Sequence, residues 1–218
     1  MPIRSLVRTT AAVLLLAAIA GCSSGPPPET IAAPPVPGAD SGFPRVVEGA
    51  DDSVGSIPGS PDAPYRFRFK MVEPAGDFSF RDRDLSFYFK PAPDALHFQI
   101  ENLQNRPVWI DWERSVFYDP NGGSGETAHL TTRWADRFQN QPMTQIPGLS
   151  RYSDYVLPLE YLLDPSGRDE QIHKQLLPED ATSPQYTDRV FGVDLTFLVE
   201  DRPRVYPFRF RVVSVIPR

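Results

Sequence analysis

The sequence predicts an all-β fold, an antiparallel β-sandwich over residues 64–218. Two observations carry this reading. From Pro64 onward, apolar and polar residues alternate with period two in five separate runs, and turn-forming residues separate the runs. A run with one apolar and one wet face is the mark of a strand that lays one side on a core. A third observation agrees: the helical signal is thin.

The elements follow in order. Tyr65, Phe67, Phe69 and Met71 alternate with Arg66, Arg68 and Lys70. Leu85, Phe87 and Phe89 alternate with Ser86, Tyr88 and Lys90, and Pro91-Ala92-Pro93-Asp94 then supplies turn chemistry. Leu96, Phe98 and Ile100 alternate with His97, Gln99 and Glu101. Asn102 to Asn105 suits a turn, Pro107 a strand start, and Trp109, Ile110 and Trp112 supply large core or near-core area. Asp119-Pro120-Asn121-Gly122-Gly123 is a further turn. Tyr155 to Leu163 is apolar, but Pro158 argues against a helix interior. Asp169 to Leu177 has acids at its start and Ile172, Leu176 and Leu177 on one side, so two helical turns are expected there. Val193, Leu195, Phe197 and Val199 form the next strand, Asp201-Arg202-Pro203 a turn, and Phe208, Phe210 and Val212 the last strand. Strands recurring at this spacing suit a sandwich of the immunoglobulin-like kind.

Residues 1–21 read differently. Arg4 and Arg8 precede an apolar run, Ala11 to Ala20, and Ile19-Ala20-Gly21-Cys22 follows. An apolar core this short suits a secretory h-region and falls well below the ~20 residues that span a bilayer. The pattern resembles a bacterial lipoprotein signal peptide with its lipobox. The resemblance implies cleavage between Gly21 and Cys22, a diacylglycerol on the Cys22 thiol and an acyl chain on its amine. At ~0.8 kcal/mol per buried methylene, several chains make a durable membrane anchor. Ser23, rather than an aspartate, follows the cysteine. By the same resemblance the outer membrane, facing the periplasm, is a better expectation than the inner membrane. The competing reading is an ordinary secretory signal in which Cys22 happens to fall.

Residues 22–63 comprise the lipidated cysteine and a stretch of Pro, Gly, Ser, Ala and acids with no apolar period. Such a composition buries too little apolar surface to offset the entropy of ordering, so a disordered Pro-rich tether is expected. Its simplest role is spacing.

Charge narrows the function classes. Of 22 basic residues, Arg4 and Arg8 leave with the signal, so 20 face 28 acids and the formal charge falls to about −8. That excludes general nucleic-acid binding, which needs a basic footprint. With Cys22 acylated no thiol remains, so disulfides, cysteine nucleophiles and thiolate metal sites are excluded.

Phe98 to Asn121 carries the pattern F-x-I-x-N-x-x-x-x-P-x-x-I-x-W, followed by a short strand and an Asn-Gly turn. Ile146-Pro147 and an Asp154…Pro158 element come after it. Over roughly residues 84–178 the chain resembles a family of uncharacterised bacterial envelope lipoproteins with an immunoglobulin-like β-sandwich domain. The resemblance implies a fold and a location, and no catalytic residues.

Other candidate chemistry is weak. His97, His129 and His173 are far apart in sequence with no ligand spacing, so no metal and no cofactor are expected. Asp119 to Glu126 has oxygens at alternate positions, but Gly123 and Leu130 stand where a calcium loop needs oxygens, and a hairpin explains the glycines better. Gly148-Leu149-Ser150-Arg151-Tyr152 lacks the second glycine of a nucleophile elbow. The three tryptophans are assigned to core packing with one exposed ring, in preference to a sugar-stacking surface. Arg66, Arg68, Lys70, Arg209 and Arg211 would form a basic stripe if the first and last strands adjoin. The competing fate is pairing with Asp82, Asp84, Asp194 or Glu200.

The sequence therefore predicts a monomeric, lipid-anchored envelope protein without enzymatic activity, acting as a binding or structural module. Arg66, Arg68, Arg209 and Arg211 are its candidate binding face for an envelope protein or anionic envelope polymer. One alternative is a periplasmic hydrolase of envelope glycans using Asp111, Glu113 or Asp154 near the tryptophans. Another is an accessory lipoprotein of a secretion or transport complex.

Overall fold

A computed structural model describes residues 65–167 and 171–217, and the backbone of residues 54–57. The expected signal peptide, Cys22 and most of the tether lie outside the described residues. The chain forms fourteen strands in this range. They are β1 (Val54–Ile57), β2 (Tyr65–Glu73), β3 (Ala75–Gly76), β4 (Ser79–Arg81), β5 (Leu85–Pro91), β6 (Leu96–Asn102) and β7 (Val108–Tyr118). Then come β8 (Ser124–His129), β9 (Thr144–Ile146), β10 (Arg151–Pro158), β11 (Leu162–Leu163), β12 (Ile172–His173), β13 (Val190–Val199) and β14 (Arg202–Pro217). β1 falls within the stretch read as tether and pairs with β2, Val54 opposite Lys70. Among the described residues no helix is long and apolar enough to cross a membrane.

All the pairings are antiparallel, and the strands make a sandwich, as the alternation predicts. One layer runs β1-β2-β14-β13-β7 and the other β10-β6-β5-β4, with β8 between them. The first half of β8 pairs with β7, Val116 opposite Glu126, and its second half with β10, Val156 opposite His129. One strand thus serves both layers and turns the corner. The inner faces meet through aromatic rings. Phe89 of β5 lies tilted 4.4 Å from Phe208 of β14, and Phe87 sits 5.0 Å from Phe208 and 5.7 Å from Phe197. Every inward apolar residue expected in these runs from Phe67 to Val212 is buried. Tilted and edge-on ring pairs of this kind add to the stabilisation from area burial.

Two expectations are corrected. Asp169 to Leu177 does not form two helical turns among its described residues. Ile172–His173 pairs with Leu162–Leu163, and Lys174 N, Leu176 N and Leu177 N donate to the carbonyls of Tyr161, Asp94 and Pro93. So short a segment gains little from helix propagation after nucleation. Burial of Leu176 and Leu177 in the main core wins instead. The second correction is in β7, where Asp111 and Glu113, two apart in sequence and so expected on one face of a regular strand, do not share a face: Asp111 is buried and Glu113 exposed. Asp111 lies opposite Thr196 and Val116 opposite Asp194, so Trp112 to Ser115 form a bulge in the ladder. The Ser115 hydroxyl donates to Asp111 O at 2.7 Å and accepts from Thr196 N at 3.1 Å, closing the bulge.

The β13–β14 hairpin turns on Glu200 and Asp201, both in the left-handed region at φ 53° and 59°. That geometry favours Asn-Gly. Glu200→Asn with Asp201→Gly should therefore raise stability by about 1 kcal/mol. A urea unfolding midpoint checks it, and an unchanged midpoint would show that the strain is relieved elsewhere.

Candidate binding surfaces

The topology decides the basic stripe. β2 and β14 are direct neighbours, with Lys70 opposite Arg211, Arg68 opposite Ser214 and Arg66 opposite Ile216. Lys70, Arg66 and Arg211 are exposed and Arg68 is half-buried, all on the side away from the core. Among the described residues none of the four makes an ion pair. Like charges directly opposite on adjacent strands cost stability. The chain keeps Lys70 and Arg211 in that position although it is acidic overall.

Arg209, read with the same stripe, is committed inside the protein. Its Nη1 lies 2.8 Å from Asp194 Oδ1, and its guanidinium stacks 3.9 Å over the Tyr118 ring. The Tyr118 hydroxyl donates to Asp194 Oδ2 at 3.0 Å, closing a three-residue cluster across β14, β13 and β7. Gly192 lies between Arg209 and Tyr118 in register, and a Cβ there would meet Phe208 O and the Arg209 side chain. The hydrogen bond to Asp194, then burial and the Asp194 charge, push the Tyr118 phenol above its usual range. Of the other acids considered as partners, Asp84 takes Arg83 and Arg204 rather than the stripe.

The residues named for hydrolysis do not converge. Asp111 is buried and accepts from Arg114 N at 3.2 Å, while Glu113 is exposed. Asp154 belongs to a sealed network. Its Oδ2 faces His129 Nδ1 at 3.2 Å and accepts from the Tyr152 hydroxyl, and its Oδ1 accepts from Leu130 N and Tyr155 N. His129 stacks 4.0 Å from Trp112, whose Nε1 donates to Thr144 Oγ1 at 2.8 Å. Burial, then the Asp154 charge, drives the Tyr152 phenol far above its usual range. The side chains of His129 and Asp154 are 3% and 0% exposed. An acid–base pair must come within hydrogen-bond reach of a substrate proton. A fully sealed pair instead fixes strands β7, β8 and β10 to one another.

The expected loop after β7 is a hairpin. Asp119 N donates to Gly123 O at 2.9 Å, and the Asp119 carboxylate accepts from Asn121 N. A groove of about 470 Å³ opens beside it. Its lining includes Glu126, Glu160, Trp134, Arg137 and Phe138. Arg137 lies 3.4 Å over Trp134 and 4.2 Å over Phe138. Of the tryptophans, Trp112 is in the core, Trp109 is half-buried on the outer sheet face, and Trp134 alone lines the groove. Sequence reasoning missed Arg137, Phe138 and Glu160, and singled out Glu126 only as the end of a segment weighed for calcium. The available signal was two large aromatics, Trp134 and Phe138, in a polar stretch with no strand alternation.

No protein-family model, curated protein or solved structure matches the chain.

Proposed function

We propose that this protein is a lipid-anchored cell-envelope module that binds an anionic envelope polymer through Arg66, Arg68, Lys70 and Arg211. One observation carries the reading: Lys70 and Arg211 sit side by side, exposed and without an ion pair among the described residues. Arg209, by contrast, is spent on Asp194 and Tyr118. Guanidinium forks suit the paired oxygens of carboxylate and phosphate groups, and an anionic polymer would relieve the Lys70–Arg211 repulsion. The lipobox at Ile19 to Cys22 supports the envelope location, and the Pro-rich tether supports presentation at a distance from the membrane. The burial of Asp154 and His129 favours binding over hydrolysis.

The test is co-sedimentation of the full chain with teichoic acid in one arm and lipopolysaccharide in the other. Arg66, Arg68, Lys70 and Arg211 are changed together to glutamine. Wild-type recovery in either arm should fall as salt shortens the Debye length to ~8 Å and below. The variant should show at least a tenfold loss with a melting temperature no lower than that of the wild type, because the Lys70–Arg211 repulsion is removed. Anchoring has its own check: labelled palmitate should enter the wild type and not Cys22→Ser. Equal labelling of the two would remove the anchor from the proposal.

A further inference from the structure

The groove beside the β7–β8 hairpin holds an arrangement the basic face does not use. Phe138 is 85% exposed, yet Arg137 bridges its ring to that of Trp134. Arg137 Nη1 donates to Trp134 O at 2.5 Å, which fixes the stack to the backbone of the 3-10 turn at Trp134–Asp136. A guanidinium stacked on two rings holds them in a fixed arrangement within a loop. Among the described residues Arg137 makes no ion pair, so its remaining N–H groups are open to a ligand. Glu126 and Glu160, also without ion pairs among the described residues, line the same groove as exposed acceptors. The floor is apolar, with buried Phe117 and Leu159. A volume of about 470 Å³ is in the range that holds small ligands.

The mixture of groups selects among ligand classes. An anion would meet the Glu126 and Glu160 carboxylates. A cation would be repelled by the Arg137 guanidinium, which already lies on both rings. A neutral pyranose suffers neither repulsion. Its C–H face can lie on the side of the Phe138 ring that Arg137 leaves open, and its hydroxyls, each both donor and acceptor, can use Arg137 on one side and the glutamates on the other. We infer that this groove binds an uncharged saccharide unit, so that the module reads a glycan as well as its charge. The inference deepens the envelope-polymer reading but shares no residue with the basic face, so each can fail alone.

Isothermal titration of the full chain with chitotetraose, cellotetraose and maltotetraose tests it. At least one should bind. Phe138→Ala should weaken that binding at least tenfold, and Arg137→Gln should also weaken it. The glutamine variant of the basic face should bind the same saccharide as the wild type. Phe138 is so exposed that its replacement should leave the thermal melt unchanged, and the melt is recorded alongside. Binding of none of the three saccharides would overturn the inference. So would saccharide binding indifferent to Phe138→Ala. Binding of an oligolysine peptide, with no saccharide bound and with loss in Glu126→Gln/Glu160→Gln, would make the groove a cation site instead.

Discussion

Asn102→Ala should destabilise the domain by about 3 kcal/mol, since each buried polar group left without a partner costs ~1–3 kcal/mol. Asn102 is fully buried at the end of β6. Its Nδ2 reaches the carbonyls of Arg106 at 2.7 Å, Pro147 at 3.0 Å and Ile146 at 3.2 Å. Its Oδ1 accepts from Gln104 N at 3.0 Å. One amide therefore shapes the β6–β7 turn and ties it to the segment between β9 and β10. Alanine strands these groups and leaves a hole. In a domain of this size such a loss lowers the melting temperature by roughly 6–12 °C. Asn102→Asp keeps the shape but puts acceptors where donors are needed, so it should be at least as damaging. A melting temperature within a degree or two of wild type for either variant would show that water replaces the amide. Gly148 belongs to the same joint: a Cβ there would come within 2.4 Å of the Asn105 backbone.

The second large effect is at Asp84, which clamps the two layers. Its side chain is 2% exposed, and it accepts from Arg83 Nε, Arg204 Nη1 and Gln104 Nε2. The adjacent Asp82 accepts from the Tyr206 hydroxyl at 2.9 Å, so a single turn grips β14 twice. Asp84→Ala should cost about 2 kcal/mol, toward the middle of the range for a buried unpaired group, because Arg204 is partly exposed and can turn to water. Burial alone would raise the Asp84 carboxyl. The hydrogen bonds from Arg83, Arg204 and Gln104 outweigh burial and hold it below its ordinary value of 3.8. A carboxyl held low contributes stability that is present above its unfolded value and is lost as pH falls through the folded one. Wild type should therefore lose stability below about pH 4, and Asp84→Asn should show a flatter acid limb in urea midpoints. Parallel acid limbs would assign the pH dependence to other carboxylates.

These two joints mark where the sequence was readable and where it was not. Alternation located Phe67, Phe87, Phe98, Phe197 and Phe208 on the inner faces because burial of one side of a strand acts residue by residue. Two of the partners of Asn102, Ile146 and Pro147, lie more than forty residues away in sequence, and no local pattern announces them. A short break before the last strand of Phe98 to Asn121 was legible, but its form was not: the bulge at Trp112 to Ser115 is closed by Thr196 from another strand. The basic stripe was visible as residue types, but only the register of β14 separates Arg211, which is unpaired among the described residues, from Arg209, which Asp194 holds. The groove draws on the hairpin, the 3-10 turn at Trp134 and the end of β10, three segments whose meeting is a property of the corner strand β8.

The most direct test of the binding face compares two single-charge changes in one salt series. Binding of the full chain to the polymer retained in co-sedimentation is measured for wild type, Arg211→Gln and Arg209→Gln. Arg211→Gln should weaken binding and lower the salt slope by about one, as removal of one neutralised phosphate does. Arg209→Gln should leave the slope unchanged and show its effect in stability, through the loss of the Asp194–Tyr118 cluster. Equal slopes for wild type and Arg211→Gln, at low salt as well as high, would contradict a binding role for the β2–β14 face.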